Sequence, residues 1–277
     1  MAALLALSGG LLWGVGDFLG GLASRRIAAL AVVVVSQTIG LTCLLAVVLA
    51  SGDPFPGLVP LLPAVGAGVA VLLGITAFYR GLAIGAMGIV APITAAGPIV
   101  PLAVDAAHGS TPTALQWCGI AFILIGVATL SWEGASPGGS RVATGTGLAI
   151  VAALGFGLYF VGIDAGADES ASWAVVAARV TAVSLGALAA LAMSTSLRAP
   201  RKLLPTLAAV GIIDTFANVL VAAATTHGAA GIAAVLSSLY PLVTILLARL
   251  VVGERLSLPK RVGALVALAG AACVAAG

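Results

Sequence analysis

Long apolar runs alternate with short polar or Gly/Pro-rich breaks along the whole chain. The runs are near or above the roughly 18 to 20 residues that an apolar helix needs to cross a bilayer. The breaks are short and leave no room for a soluble domain. The pattern therefore predicts an all-α integral membrane protein with ten transmembrane helices, at about 3–22, 28–50, 58–79, 86–107, 114–132, 144–164, 172–194, 203–225, 229–251 and 260–276.

The composition supports this class of protein. Of 277 residues, 61% are hydrophobic and 8% are charged, whereas a soluble domain is about one quarter charged. The net charge of +3 is small and its basic residues lie in short loops, so nucleic-acid binding has no support. The three cysteines stand singly in apolar runs and are interpreted as buried hydrophobes. We expect a multi-pass protein of the cell membrane without a metal or cofactor.

The longest polar connection, from Glu133 to about Ala143, falls near the middle of the chain and suggests a duplication. Sliding the chain against itself by 143 residues places Thr94 on Ser237 and Pro98 on Pro241. Because five helices is an odd number, a second copy must enter the membrane from the opposite side, which predicts two inverted five-helix repeats. The predicted units are a first repeat over 1–132, a linker over 133–143 and a second repeat over 144–277.

Two motifs carry a resemblance to a known family. The stretch SSLYPLVT at 237–244, followed by GERLS at 253–257, resembles the end of the second EamA domain of the drug/metabolite transporter superfamily. The WG pair at 13–14 resembles the start of the first domain. The first half departs from the pattern, because GSTP at 109–112 stands where Gly-Glu-Arg would fall.

The resemblance implies ten helices in two inverted repeats and secondary transport, not driven by ATP, by alternating access around a site between the repeats. The implied substrates are small metabolites, amino acids or drug-like compounds, with export as the expected direction. The alternative is a channel or a non-transporting membrane scaffold. A membrane-embedded enzyme is least supported, because the sequence has no nucleophile elbow, zinc-helix motif or phosphate-binding loop.

Charged residues at membrane depth are costly and are the first candidates for function. The predicted spans contain Asp17, Arg179 and Asp214, with Gln37 and Asn218 as neutral polar companions. Asp214 and Asn218 share one helix face, and the protonation of a carboxylate at that depth depends on its neighbours. Asp214 is therefore predicted to hold a proton or a cationic substrate group, with Asn218 orienting the ligand. The alternative is a purely structural Asp214–Arg179 pair, and for Asp17 an interfacial position.

Aromatic, hydroxyl and proline residues complete the predicted pathway. Tyrosine and tryptophan can wall a ligand site, although they also occupy the membrane interface. A proline inside a membrane helix frees a carbonyl that serine hydroxyls can satisfy, which favours a bendable, cavity-lining segment over a static kink. The candidates for the pathway are Trp13, Tyr79, Ser237, Ser238 and Tyr240, and the candidates for gating are Pro98 and Pro241.

The basic residues give a prediction of orientation. Every lysine and arginine except Arg179 flanks an odd-numbered loop. The positive-inside rule places those loops in the cytoplasm and both termini outside, whereas the resemblance places both termini inside. We favour the charge distribution. The expected partners are a small-molecule substrate, protons and the lipid bilayer.

Overall fold

The computed structural model describes residues 2–109, 111–131, 139–226 and 240–277, and within these ranges it contains helices and no strands. The helices are α1 (Ala2–Ser24), α2 (Ala29–Ser51), α3 (Leu62–Ile84), α4 (Met87–Thr94), α5 (Ile99–Ala107), α6 (Ala114–Ser131), α7 (Gly139–Gly166), α8 (Ala171–Ala192), α9 (Leu204–Thr226), α10 (Tyr240–Val251) and α11 (Leu258–Ala276).

The described helices include seven segments that are long and apolar enough to cross a membrane. One of these segments, Met87–Val104, combines the two short helices α4 and α5. Large apolar side chains on the outside, such as Leu191 and Leu250, are well exposed, as expected where lipid replaces water. The predicted class, an all-helical multi-pass membrane protein, is confirmed, while the inverted relation of the halves stays a prediction.

The fourth predicted span, 86–107, is not one continuous helix. α4 ends at Thr94 and α5 begins at Ile99. Between them the backbone turns tightly, with the N–H of Gly97 donating to the carbonyl of Thr94 at 3.1 Å. Pro98 has no N–H to continue an α-helical ladder, which gives a physical reason for the break at this point.

Glycines let several helix backbones approach closely. A Cβ on Gly155 of α7 would lie 2.6 Å from the Cα of Gly74 in α3. A Cβ on Gly211 of α9 would collide with the carbonyl oxygen of Ser36 in α2. In a membrane, where lipid is as apolar as the side chains, such close backbone packing is a main source of helix association. A buried apolar cluster among the described residues joins these helices to α4 and includes Phe78, Tyr79, Leu82, Met87, Val90, Leu207 and Val210.

The Gly253-Glu254 pair has a structural role that joins distant parts of the chain. Gly253 has a left-handed backbone (φ 73°), and the N–H of Glu254 donates to the carbonyl of Ala248 at 3.1 Å, which ends α10. The Glu254 carboxylate then accepts hydrogen bonds from the backbone N–H groups of Met87 at 3.0 Å and Gly88 at 2.8 Å. It caps the N-terminus of α4, where a negative charge is favourable.

The contact at Gly211 leads to a prediction of stability. We expect Gly211→Ala to lower the free energy of unfolding by about 1 to 3 kcal/mol, because the added methyl group meets backbone that cannot move aside. Gly66→Ala in α3 is the matched control, since a Cβ at Gly66 would meet nothing within 4 Å. Thermal unfolding of both purified variants measures the difference. Equal melting temperatures for the two variants would contradict the close approach of α2 and α9.

Candidate functional site

An ion pair joins α8 and α9 inside the helical bundle. The Nη2 of Arg179 donates to the Oδ2 of Asp214 at 2.6 Å. The Arg179 side chain is 8% exposed and the Asp214 side chain is 24% exposed. In the part of the chain that the structure describes, this is the only ion pair within 4.0 Å. The sequence placed both residues at membrane depth, and the structure brings them into direct contact.

The guanidinium of Arg179 occupies a space that glycine leaves open. A Cβ on Gly40 of α2 would lie 2.6 Å from the Nη1 of Arg179 and 2.9 Å from the carbonyl oxygen of Gly211. Any larger residue at position 40 would therefore press against the guanidinium and the backbone of α9. The close approach of α2 and α9 thus also shapes the space that holds the guanidinium of Arg179.

Thr215 connects the ion pair to the backbone of two helices. The Nη1 of Arg179 donates to its hydroxyl oxygen at 3.4 Å. The same hydroxyl lies within donating distance of the carbonyls of Gly211 at 2.9 Å and Gly40 at 3.2 Å. Thr215 is buried. A polar group out of water needs a partner, and this threonine supplies one both to the guanidinium and to a carbonyl.

Asn218 contacts Asp214 one turn away on α9. Its Nδ2 donates to the backbone carbonyl of Asp214 at 2.6 Å and lies 3.3 Å from the Oδ1 of the same residue. The spacing of four residues places the two side chains on one face of α9. The predicted role of Asn218, orienting a ligand, stays a prediction.

Asp17 of α1 is a second carboxylate close to the pair. Its carboxyl group lies near enough to that of Asp214 for the two to interact electrostatically. Unlike Asp214, it has no hydrogen bond or ion pair with any residue that the structure describes. α1 reaches α9 closely because Gly9 faces Ala217, where a Cβ would lie 3.0 Å from the carbonyl oxygen. The two acids and Arg179 form one group of charges within the bundle.

Two tyrosines lie beside these charges. Tyr79 of α3 is buried, and its ring fills the space in front of Gly20 of α1. It lies within electrostatic range of Asp17, Asp214 and Arg179. Tyr159 of α7 is within range of Arg179 and Asp214. The sequence analysis included Tyr79 and missed Tyr159, although a tyrosine in the middle of the sixth apolar run was a usable signal.

Trp13 and Tyr240 meet where α1 contacts α10. Their rings pack edge to face, with centroids 6.4 Å apart and planes at 78°. The hydroxyl of Thr244 donates to the carbonyl of Gly14 at 3.1 Å and ties the two helices together. Tyr240 lies within electrostatic range of Asp17. Of the aromatic candidates predicted from sequence, Trp13, Tyr79 and Tyr240 therefore all lie in one region around Asp17.

The remaining candidates have separate positions. Gln37 is 8% exposed on α2 and has no hydrogen-bond partner among the described residues. Pro98 lies at the break between α4 and α5, and Pro241 is buried in the first turn of α10. Ser237 and Ser238 lie outside the described residues. Within the described ranges, no group of three or more histidine, cysteine, aspartate or glutamate side chains could hold a metal ion.

Comparison with known proteins gives a family and a fold. The sequence model of the EamA-like transporter family matches residues 1–132 and 143–276. No curated protein matches the chain. Among the solved structures that match, a crystal structure described only as that of a protein is 19% identical, with a TM-score of 0.66 over 99% of this chain and 96% of the other. At that identity the likeness concerns the fold alone.

The family match spans both halves of the chain and agrees with the resemblance that the motifs at 13–14 and 237–257 carried. The chain belongs to the EamA-like transporter family, and it is accordingly a membrane transporter of the drug/metabolite transporter type.

Proposed function

We propose that this protein is a secondary transporter that exports small cationic molecules in exchange for protons, by alternating access between its two halves. The observation that carries the proposal is the group of two carboxylates and one guanidinium inside the bundle. Charged residues at membrane depth are retained where they line a pathway for ions or substrates. Secondary transporters built from two inverted halves bind substrate near the middle of the bilayer.

The charges of this group favour a cation as substrate. Asp17 and Asp214 place two carboxyl groups near the single guanidinium of Arg179. Asp17 has no cationic partner among the described residues, so a protonated amine that binds there would supply the counter-charge that favours its ionised form. The rings of Trp13 and Tyr240 beside Asp17 could contact the same cation through their π faces.

The ion pair offers a physical route for coupling. In one state Asp214 pairs with Arg179, as in this structure. In the other state, after the halves rock against each other, Asp214 binds a proton or the amine of the substrate, and Arg179 is held by Thr215. A ligand shifts such an equilibrium only through its different affinity for the two states. The break between α4 and α5 is a candidate point of bending, because discontinuous helices form the binding sites of many transporters.

A channel or a non-transporting scaffold is the alternative, and counterflow separates it from a carrier. Proteoliposomes are loaded with an unlabelled lipophilic cation, such as tetraphenylphosphonium, and a trace of labelled cation is added outside. A carrier accumulates the label transiently and in a saturable way, because each binding site exchanges one molecule for another. Uptake that rises linearly with concentration would indicate a channel, and no uptake beyond empty liposomes with any member of a panel of amines would contradict transport of cations.

The first prediction from the site concerns Asp214→Asn. The amide keeps the shape of the side chain and can accept a hydrogen bond from Arg179, but it cannot carry a proton. We expect this variant to retain counterflow and to lose the acceleration of transport by an imposed pH gradient. Transport measured with and without the gradient in the same proteoliposomes checks this expectation.

A structural role for the pair gives a different result. If Asp214 only holds α8 against α9, the variant has a lower melting temperature, and the surviving protein keeps the full response to the pH gradient. Asp164→Asn is the control. Asp164 is an exposed acid near the end of α7, so this variant makes the same chemical change outside the site. Gradient-driven transport at the unmodified rate in Asp214→Asn would remove this residue from the coupling mechanism.

The second prediction concerns Asp17→Asn and substrate affinity. We expect the dissociation constant for a cationic substrate to rise at least about tenfold, because removing one member of a buried charge pair costs on the order of 2 to 5 kcal/mol. Binding is measured as thermal stabilisation over a range of ligand concentrations. Asp164→Asn is again the control. Unchanged affinity for every cation that stabilises the wild-type protein would show that Asp17 does not contact substrate.

A further inference from the structure

A pocket lined by three arginines lies where α10 ends and α11 begins, separate from the charges inside the bundle. Arg249 belongs to the last turn of α10, Arg255 follows the turn at Gly253, and Arg261 belongs to the first turn of α11. The pocket is small and partly open, with a cavity volume of about 80 Å³. It is lined by Ile245, Arg249, Glu254, Arg255, Leu256 and Arg261.

The positive charge of this pocket is not neutralised by the protein that the structure describes. Glu254 is the one acid in the lining, and its two oxygens accept hydrogen bonds from the backbone of α4. No ion pair within 4.0 Å joins Arg249, Arg255 or Arg261 to a described acid. Three guanidinium groups against one carboxylate leave a local excess of positive charge. Arginine clusters of this kind bind phosphate through forked hydrogen bonds.

The arginines of the pocket differ in the hydrogen bonds that they make within the protein. The start of α11 adds little to the attraction of an anion, because Pro259 has no N–H and the N–H of Arg261 donates to the carbonyl of Ser257 at 3.0 Å. The Nε of Arg261 donates to the carbonyl of Leu256 at 2.9 Å, which fixes this arginine on the loop before the helix. Arg249 and Arg255 make no such hydrogen bond within the described ranges and keep their donors for a ligand.

The surroundings of the pocket favour a phospholipid over a soluble anion. Leu250, Leu258 and Val262 flank the arginines in sequence and are 70%, 71% and 50% exposed. On a membrane protein such exposed apolar side chains face lipid tails. A soluble anion would contact the arginines alone, whereas a phospholipid can place its phosphate among the guanidinium groups and its acyl chains along these side chains. Basic pockets at helix ends are suited to anionic headgroups, because the charges of lipid and protein then cancel.

We propose that the pocket formed by Arg249, Arg255 and Arg261 binds the headgroup phosphate of an anionic phospholipid. Bound there, the lipid also lies beside Glu254, which caps α4. Through this site, the lipid composition of the membrane would influence the contact between Glu254 and α4.

Native mass spectrometry of the full-length protein in detergent, titrated with phosphatidylglycerol or with phosphatidylcholine, tests the proposal. We expect the wild-type protein to retain phosphatidylglycerol in preference to the zwitterionic lipid. The double variant Arg249→Gln/Arg255→Gln should bind phosphatidylglycerol about 30-fold more weakly, since each basic residue near an anionic lipid contributes about fivefold in affinity. Arg261 is kept because it holds the loop.

The control removes equal charge from another loop. Arg198→Gln/Arg201→Gln changes two exposed arginines between α8 and α9 and should leave the preference for phosphatidylglycerol unchanged. If the pocket double variant does not fold, wild-type protein titrated at rising salt concentration replaces it, and the preference should fall as the charges are screened. An equal preference in the pocket variant, or one insensitive to salt in the wild type, would overturn the proposal. Displacement of phosphatidylglycerol by millimolar inorganic phosphate would also overturn it and assign the pocket to a soluble anion.

Discussion

The guanidinium of Arg179 inside an apolar bundle is the constraint on which the arrangement around it depends. Moving an ion out of water costs several kcal/mol unless a counter-charge and hydrogen bonds replace the water. Asp214 supplies the counter-charge, and Thr215 supplies a hydrogen bond that passes on to backbone carbonyls. Gly40 of α2, which packs against Gly211 of α9, leaves room for the guanidinium. Each neighbour has a chemical role that an apolar residue of equal volume would not fill.

The same constraint explains why the region suits an exchange of partners. A buried ion pair whose hydrogen bonds are all made holds helices in one position. When a second carboxylate lies nearby, the two acids titrate together, and either of them can hold the proton. Asp17 is that second acid, since its carboxyl group lies near Asp214 and has no described partner. Under the proposed function, one proton or one amine would shift the balance between Asp214, Asp17 and Arg179, as coupled transport requires.

Sequence reasoning was most reliable where one residue type has one physical meaning. The apolar runs gave the membrane class, and the scarcity of charge at depth singled out Asp17, Arg179 and Asp214 before their contacts were known. It was least reliable for backbone breaks and long-range contacts. Pro98 was predicted as a point of bending, but because apolarity continues across it, the sequence did not show that one helix ends at Thr94 and another begins at Ile99. Tyr159 was missed although a tyrosine within an apolar run is the same signal that singled out Tyr79 and Tyr240.

Glu254 caps a helix that lies far from it in the sequence, so the cap forms late in synthesis. It accepts hydrogen bonds from the N–H groups of Met87 and Gly88, which precede it by 167 and 166 positions. During translation α4 enters the membrane long before its cap exists. The first half must therefore wait, incompletely satisfied, until almost the whole polypeptide has left the ribosome.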